Sequence, residues 1–200
     1  MVMDFVYEIE NNLSPEICEE IINKYKNDQR KIDGALGVHA EVNKNVRSSN
    51  VLSFSGLQEW NEIDKILYDN LKEGLKQYKT YLSVYGPGHK SEHGLLSKND
   101  GLLSNLRDEG YTIQEMKRGD FYTWHYDTAF KPMNRQITAM WYLNTLEEGD
   151  GGTTDFWMGR QITPKQGKLL FFPSTWSYIH RGSPIKSDNT KYTCITWLGV

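Results

Sequence analysis

YTIQEMKRG (111–119), QITAMWYLN (136–144), TTDFWMG (153–159), KLLFFPS (168–174) and KYTCITWLG (191–199) mark out the second half of this 200-residue chain. Each run is short and dense in β-branched and aromatic residues, the types that pack well on a pleated surface. Turn residues separate them: RGD at 118–120, EEGDGG at 147–152, TPKQG at 163–167 and RGSP at 181–184. Gly149, Gly151 and Gly152 are read as shaping a turn, Pro173 as ending a strand, and Pro184 as fixing the turn after His180. Several short strands at this spacing predict a small barrel or a two-sheet sandwich with jelly-roll topology.

The first half has a different texture. Ser14, Pro15 and Glu16 form a helix start, because the hydroxyl caps and proline occupies the first turn without losing a bond. Ile17, Ile21, Ile22 and Tyr25 follow at steps of three and four, so one face is apolar. A second helix is predicted over 60–81 from the same repeat of Ile63, Ile66, Leu67, Leu71, Leu75 and Tyr78, and residues 47–54 are strand-like. Residues 84–110 are rich in Gly, Ser and charge and are read as an irregular segment that could serve as a substrate lid. The expected fold is therefore mainly β with flanking helices: one domain over 1–200, in which 1–110 is helical support and irregular segment and 111–200 is the β core. The helices are expected to pack on the outside of one sheet.

Bulk composition removes several classes. A net charge of −3, with Lys and Arg scattered, gives no reason to expect a nucleic-acid partner. No run of about 18 apolar residues exists for a membrane span, and the N-terminus lacks the basic stretch and apolar run of a secretory signal. The working assumption is a cytoplasmic protein. Cys18 and Cys194 are too few for a disulfide framework, show no metal-ligand spacing, and are read as buried thiols.

The residues that carry chemistry begin at His125-Tyr126-Asp127. On an extended segment, residues i and i+2 point the same way, so one imidazole and one carboxylate can converge on an ion. His180 arrives about 55 residues later, at the end of LLFFPSTWSYIH. Two His and one carboxylate on one face of an octahedral ion leave three positions open, which suits iron(II) that must also bind a bidentate cosubstrate and dioxygen. The bland alternative for His125 is a hydrogen-bonded polar residue near the surface. Lys191 lies eleven residues past His180 at the start of the final strand. A buried ammonium there needs an anion, such as the far carboxylate of a dicarboxylic acid; a solvated lysine on an edge strand is the alternative.

Taken together, GDFYTWHYD (119–127), RQITAMWYLN (135–144), GDGGTTDF (149–156), ITPKQGKLLFFP (162–173) and HRGSPIKSDNTKYTCITWL (180–198) resemble the catalytic core of the prolyl 4-hydroxylase-like branch of the 2-oxoglutarate/iron(II) oxygenases. The resemblance covers residues 119–197, in family order and at family-like spacing. It implies a double-stranded β-helix, the cupin-like form of the jelly roll. Iron ligands are implied at His125, Asp127 and His180, with Lys191 paired to the distal carboxylate of 2-oxoglutarate. Tyr142 matches a position whose hydroxyl binds that carboxylate, although core packing explains a buried phenol as well. Thr193 shares a strand face with Lys191 and is expected to line the same cavity. Arg135 matches a position near the substrate entrance; a solvated surface charge is its alternative. Relatives often carry a tyrosine where this chain has Met116, so Gln114 or Tyr122 substitutes for it or the contact is absent. Trp124 alternates away from His125 and is read as core.

The activity so implied is hydroxylation of a C–H bond coupled to decarboxylation of 2-oxoglutarate to succinate and carbon dioxide. Iron(II), 2-oxoglutarate and dioxygen are the expected cofactors, with L-ascorbate rescuing oxidised iron. A peptide or protein carrying proline is the first expectation for the substrate, ahead of a small amino acid. Two other classes stay open: a non-catalytic cupin-like binding module, and a metal-dependent isomerase or hydrolase that works without oxygen.

Overall fold

The computed structural model describes residues 4–36, 40–85, 103, 105–128 and 135–200. In chain order the elements are β1 (Tyr7–Ile9), α1 (Pro15–Asn27), β2 (Ile32–Asp33), β3 (Asn50–Ser53), α2 (Asn61–Tyr85), β4 (Arg107–Asp108), β5 (Thr112–Met116), β6 (Tyr122–His125), β7 (Arg135–Tyr142), β8 (Thr154–Phe156), β9 (Gln161–Ile162), β10 (Leu169–Pro173), β11 (His180–Gly182) and β12 (Lys191–Gly199). α1 begins where the capping residues put it: the Ser14 hydroxyl accepts from the N–H of Ile17, and Pro15 opens the first turn. α2 starts after a single 3-10 turn over Gln58–Trp60 and runs to Tyr85, four residues beyond the predicted end.

The strands form two antiparallel sheets. The larger has the order β1-β10-β7-β12-β5-β3-β2, with β4 paired to β12; the smaller has the order β6-β11-β8-β9. This is the expected jelly-roll core of a mainly β fold with flanking helices. Segment 46–48 ties the smaller sheet to the chain before it, through Ser48 N–H to the Phe121 carbonyl and Thr123 N–H to the Val46 carbonyl.

Both faces of the large sheet are covered, so its central strands read as nearly continuous apolar runs rather than alternating ones. All eight residues of β7 are buried. Ile137, Ala139 and Trp141 face one way, and with Leu169, Phe171, Ile113 and Cys194 they meet Cys18, Ile21 and Tyr25 of α1 and Ile63, Leu67, Leu71 and Tyr78 of α2. Met140 and Tyr142 face the other way and join Leu170, Phe172, Phe156, Ile162 and Tyr178 between the sheets. The helices therefore sit on the outer face of one sheet, as their apolar stripes require. Both cysteines are free and buried in this layer. Within the irregular segment, residues 86–102 and 104 lie outside the described residues, and with them the expectation of a lid.

Phe171 is fully buried and lies flat against Tyr78, with ring centroids 5.2 Å apart and planes 5° apart. Phe171→Ala should lower the unfolding free energy by about 3–5 kcal/mol, by lost burial and the cavity left behind. Trp176→Ala should change it by no more than about 0.5 kcal/mol, because that side chain is exposed. Urea titration of the two variants beside the parent chain measures both.

Candidate active site

β6 and β11 pair with His180 directly opposite His125, and their ring centroids are 4.3 Å apart. The same local device orients both rings. His125 Nδ1 donates to the Thr123 carbonyl at 2.7 Å, and His180 Nδ1 donates to the Tyr178 carbonyl at 3.0 Å. A carbonyl oxygen only accepts, so in the neutral form each ring carries its proton on Nδ1 and leaves the lone pair on Nε2. The two Nε2 atoms face the Asp127 carboxylate, at 3.6 Å from His125 to Oδ1 and 3.8 Å from His180 to Oδ2. One ligand atom from each of the three residues lies within 4.8 Å of the others. Three donors around one point could hold a divalent ion at bond lengths of about 2.0–2.2 Å.

The way Asp127 reaches this point differs from the sequence argument. Strand alternation was to bring residues 125 and 127 to one side, but β6 ends at His125 and Asp127 occupies the turn that follows. That turn is pinned instead by the N–H groups of Asp127 and Thr128, both donating to the Ser174 carbonyl at 3.1 and 3.2 Å. The Thr138 hydroxyl donates to Asp127 Oδ2 at 2.5 Å and also contacts the Ser174 hydroxyl at 2.9 Å. Arg135 supports the turn from its other side, donating to the Asp127 carbonyl at 3.1 Å.

Electrostatics keep the donor set competent for a cation. Burial alone would raise the Asp127 carboxyl, but His180, His125 and the Thr138 hydroxyl hold it below its usual range. Burial and the adjacent His180 push the His125 ring downward, so it stays neutral. Neutral imidazoles and an ionised carboxylate are the protonation states a metal ion requires of its ligands.

These residues line a cavity of about 590 Å³ that also contains Lys191, Thr193, Gln114, Thr154 and Arg135. Lys191 is 3% exposed and lies over the Tyr142 ring at 5.5 Å. No carboxylate among the described residues is within ion-pair distance of its ammonium. Asp155, the charge that acts on it, is already bound by Arg181 at 2.9 Å. Burial lowers the Lys191 amine to about 8. Gly152 makes room beside it: with φ +68 and an added Cβ 2.5 Å from Ile185, the position accepts no side chain. The Tyr142 hydroxyl donates to Thr154 at 2.7 Å rather than pointing alone into the cavity. Thr193 is buried, opposite Tyr142 on one side and Gln114 on the other.

Three further expectations are settled by position. Arg135 is 5% exposed rather than solvated; it is held by Glu109 at 2.7 and 2.5 Å and lies over the Trp197 ring at 3.7 Å. Trp124 is not core: it is 38% exposed, edge-on to exposed Trp157 and covered by Arg181, because no helix among the described residues lies over the small sheet's outer face. Near Met116, Tyr122 is committed to a stack on His125, with centroids 3.5 Å apart. Gln114, at 6% exposure, lines the same cavity and its amide nitrogen has no hydrogen-bond partner among the described residues. Sequence reasoning missed Thr138, Ser174 and Thr154. Only the GGTT run gave a signal for any of them, since a threonine inside an apolar strand normally reads as packing.

Residues 111–199 match the family model of the 2OG-Fe(II) oxygenase superfamily. No curated protein sequence matches the chain. Among solved structures it is similar to a viral collagen prolyl hydroxylase from Paramecium Bursaria Chlorella virus-1 in its 2OG complex, at 23% identity and TM-score 0.67, covering 98% of this chain and 97% of that one. It is also similar to a Trichoplax adhaerens prolyl hydroxylase bound to a hypoxia inducible factor peptide fragment, at 16% identity and TM-score 0.74, covering 98% and 84%. A Pseudomonas putida prolyl-4-hydroxylase follows at 15% identity and TM-score 0.66, covering 99% and 94%. At these identities the structural likeness is one of fold.

Lys191 titrates near 8 when folded and near its ordinary 10.5 when unfolded. Between those values the unfolded chain binds more protons, so this residue makes stability rise with pH across that window. The burial cost is fully present below pH 8. Relative to Lys191→Met, the parent chain free of dicarboxylate should gain roughly 3 kcal/mol between pH 7.5 and 10.5. Urea unfolding at several pH values tests this, and parallel curves for the two proteins would contradict it.

Proposed function

We infer the function from one premise: residues 111–199 of this chain belong to the 2OG-Fe(II) oxygenase superfamily. The chain is an oxygenase that couples decarboxylation of 2-oxoglutarate to hydroxylation of a C–H bond, and its preferred target is a prolyl residue in a peptide. The observation that carries this reading is the convergence of His125 Nε2, His180 Nε2 and the Asp127 carboxylate in a cavity that also holds an ammonium without an acidic partner among the described residues.

The donor set fits the metal that the family uses. Two imidazole nitrogens and one carboxylate suit iron(II) and leave coordination positions open. The cavity also fits a dicarboxylate, since its Lys191 ammonium and Gln114 amide are buried donors with no acceptor among the described residues. When bound, iron(II) supplies the redox chemistry that joins dioxygen, 2-oxoglutarate and the substrate C–H bond.

The remaining work belongs to the chain. Lys191 binds the distal carboxylate of 2-oxoglutarate and fixes its depth, with the Tyr142–Thr154 pair and Thr193 forming the polar wall around it. Gln114 donates its free amide N–H to the cosubstrate in place of the tyrosine that relatives carry near Met116. Thr138 and Ser174 orient the Asp127 carboxylate, while the Thr123 and Tyr178 carbonyls orient the two imidazoles. Arg135, held by Glu109, stands where the substrate enters. Burial keeps water from weakening these contacts. Ascorbate is the expected reductant for iron oxidised in turnovers without substrate.

The peptide target is supported by the three prolyl hydroxylases of similar fold, one of them bound to a peptide. A free amino acid is the second choice. No helix among the described residues is long and apolar enough to cross a membrane; a cytoplasmic site of action is proposed with the rest. A metal-binding module without catalysis would release no succinate, and an isomerase or hydrolase would turn over under nitrogen.

Incubation with iron(II), 2-oxoglutarate and a panel of proline-containing peptides should release succinate and add one oxygen atom to a peptide by mass spectrometry. His125→Ala should abolish both products, because two ligands hold iron poorly. Lys191→Ala should chiefly raise the 2-oxoglutarate concentration required. Thr138→Val should weaken iron binding by roughly 10–100-fold with the fold intact, as read by metal titration; unchanged affinity would remove Thr138 from the site.

A further inference from the structure

Among the described residues four cationic side chains line the cavity, and two of them are spoken for: Arg135 by Glu109 and Arg181 by Asp155. Lys191 is assigned above to the cosubstrate. The fourth is Arg47, which has no carboxylate within ion-pair distance among the described residues. Its Nε donates to the Ser49 hydroxyl and its Nη1 to the Ala35 carbonyl, each at 3.0 Å. The guanidinium lies 4.9 Å over the Tyr122 ring, which is itself stacked on His125.

This placement is built rather than incidental. An added Cβ at Gly34 would come within 2.6 Å of the Arg47 Nε, so only glycine leaves the guanidinium its position. On either side of Arg47, the backbone of residues 46 and 48 is bonded to residues 123 and 121 around β6. Burial lowers the Arg47 pKa, yet arginine remains charged at any working pH. A half-buried, charged fork with unused N–H groups on a cavity wall is complementary to a carboxylate. Arg47 and His125 each contact the Tyr122 ring, and the Asp127 charge acts on the guanidinium, so an anion on Arg47 lies near the metal-binding atoms without sharing their ring nitrogens. Contacts of 4.9 Å and 3.5 Å with the one Tyr122 ring put the guanidinium no further from the His125 ring than the span of about two extended residues at 3.3–3.6 Å each.

We propose that Arg47 is a specificity-determining residue that pairs with a carboxylate on the substrate, within two residues of the hydroxylated position, so that an acidic peptide is preferred. The inference rests on the oxygenase reading for its substrate class. The carboxylate has two possible sources, an Asp or Glu side chain and the α-carboxylate of a chain end.

Equilibrium binding separates them without turnover. Fluorescein-labelled peptides with one proline carry Glu or Gln at each of the two positions before and after it. A further pair ends in proline with a free or amidated carboxylate. Anisotropy is read with the iron(II)- and 2-oxoglutarate-loaded protein under nitrogen. At one position, the acidic peptide should bind about tenfold tighter than its neutral twin, about 1.4 kcal/mol. Arg47→Gln should level that pair while leaving neutral peptides unchanged, and Arg47→Lys should keep part of the preference. A preference confined to the free-carboxylate pair assigns the chain end as the source. Equal binding of every pair, absence of binding, or a preference that survives Arg47→Gln overturns the proposal. Succinate release in air is measured on the same samples: normal release without an acidic preference sinks this inference alone, whereas silence with an intact preference sinks the oxygenase reading.

Discussion

Two backbone carbonyls, those of Thr123 and Tyr178, decide what this site can do. Each accepts a hydrogen bond from Nδ1 of the histidine two residues ahead, and so turns Nε2 toward the Asp127 carboxylate. The two histidines are cross-strand partners, so the register of β6 on β11 sets their separation. A slip of one residue would turn one ring to the opposite face. The metal-binding geometry is therefore a property of sheet register first and of side-chain identity second.

The rest of the fold makes that register possible and surrounds it with dry walls. α1 and α2 cover the outer face of the large sheet, where aromatic contacts such as Phe171 on Tyr78 fill the layer. This frees the inner face to carry polar side chains at intervals: Thr138 on β7, Gln114 on β5, and Lys191 and Thr193 on β12. Burying an ammonium without a carboxylate beside it is unfavourable. The apolar layers on both sides offset that cost, and the resulting charge is available to a dicarboxylate. Arg47 repeats the arrangement nearer the histidines, over an aromatic ring that also stacks on His125.

Residues that hold the ligands in place come from distant parts of the chain. Asp127 leans on Ser174 through two backbone bonds and on Thr138 through its carboxylate, and Arg135 links its carbonyl to Glu109 and Trp197. The support shell is thus assembled from β7, from the segment between β4 and β5, from the chain just past β10, and from β12. A change in any one of these can disturb the ligand turn without touching a ligand.

Much was legible in the amino-acid order itself. Strand content and both main helices follow from local composition, which depends on near neighbours, whereas the grouping of His125 and Asp127 with the distant His180 and Lys191 came from the resemblance of several motifs in one order. Three matters were decided only when the chain closed on itself. Asp127 converges through a turn pinned to Ser174 rather than through strand alternation, because β6 ends two residues before it. Trp124, apolar and next to a ligand, is partly exposed because no helix among the described residues packs on the small sheet's outer face. Arg135 is buried and paired, and Arg47 has no acidic partner among the described residues, because charge pairing depends on which acids the fold brings near. No local pattern encodes that distance.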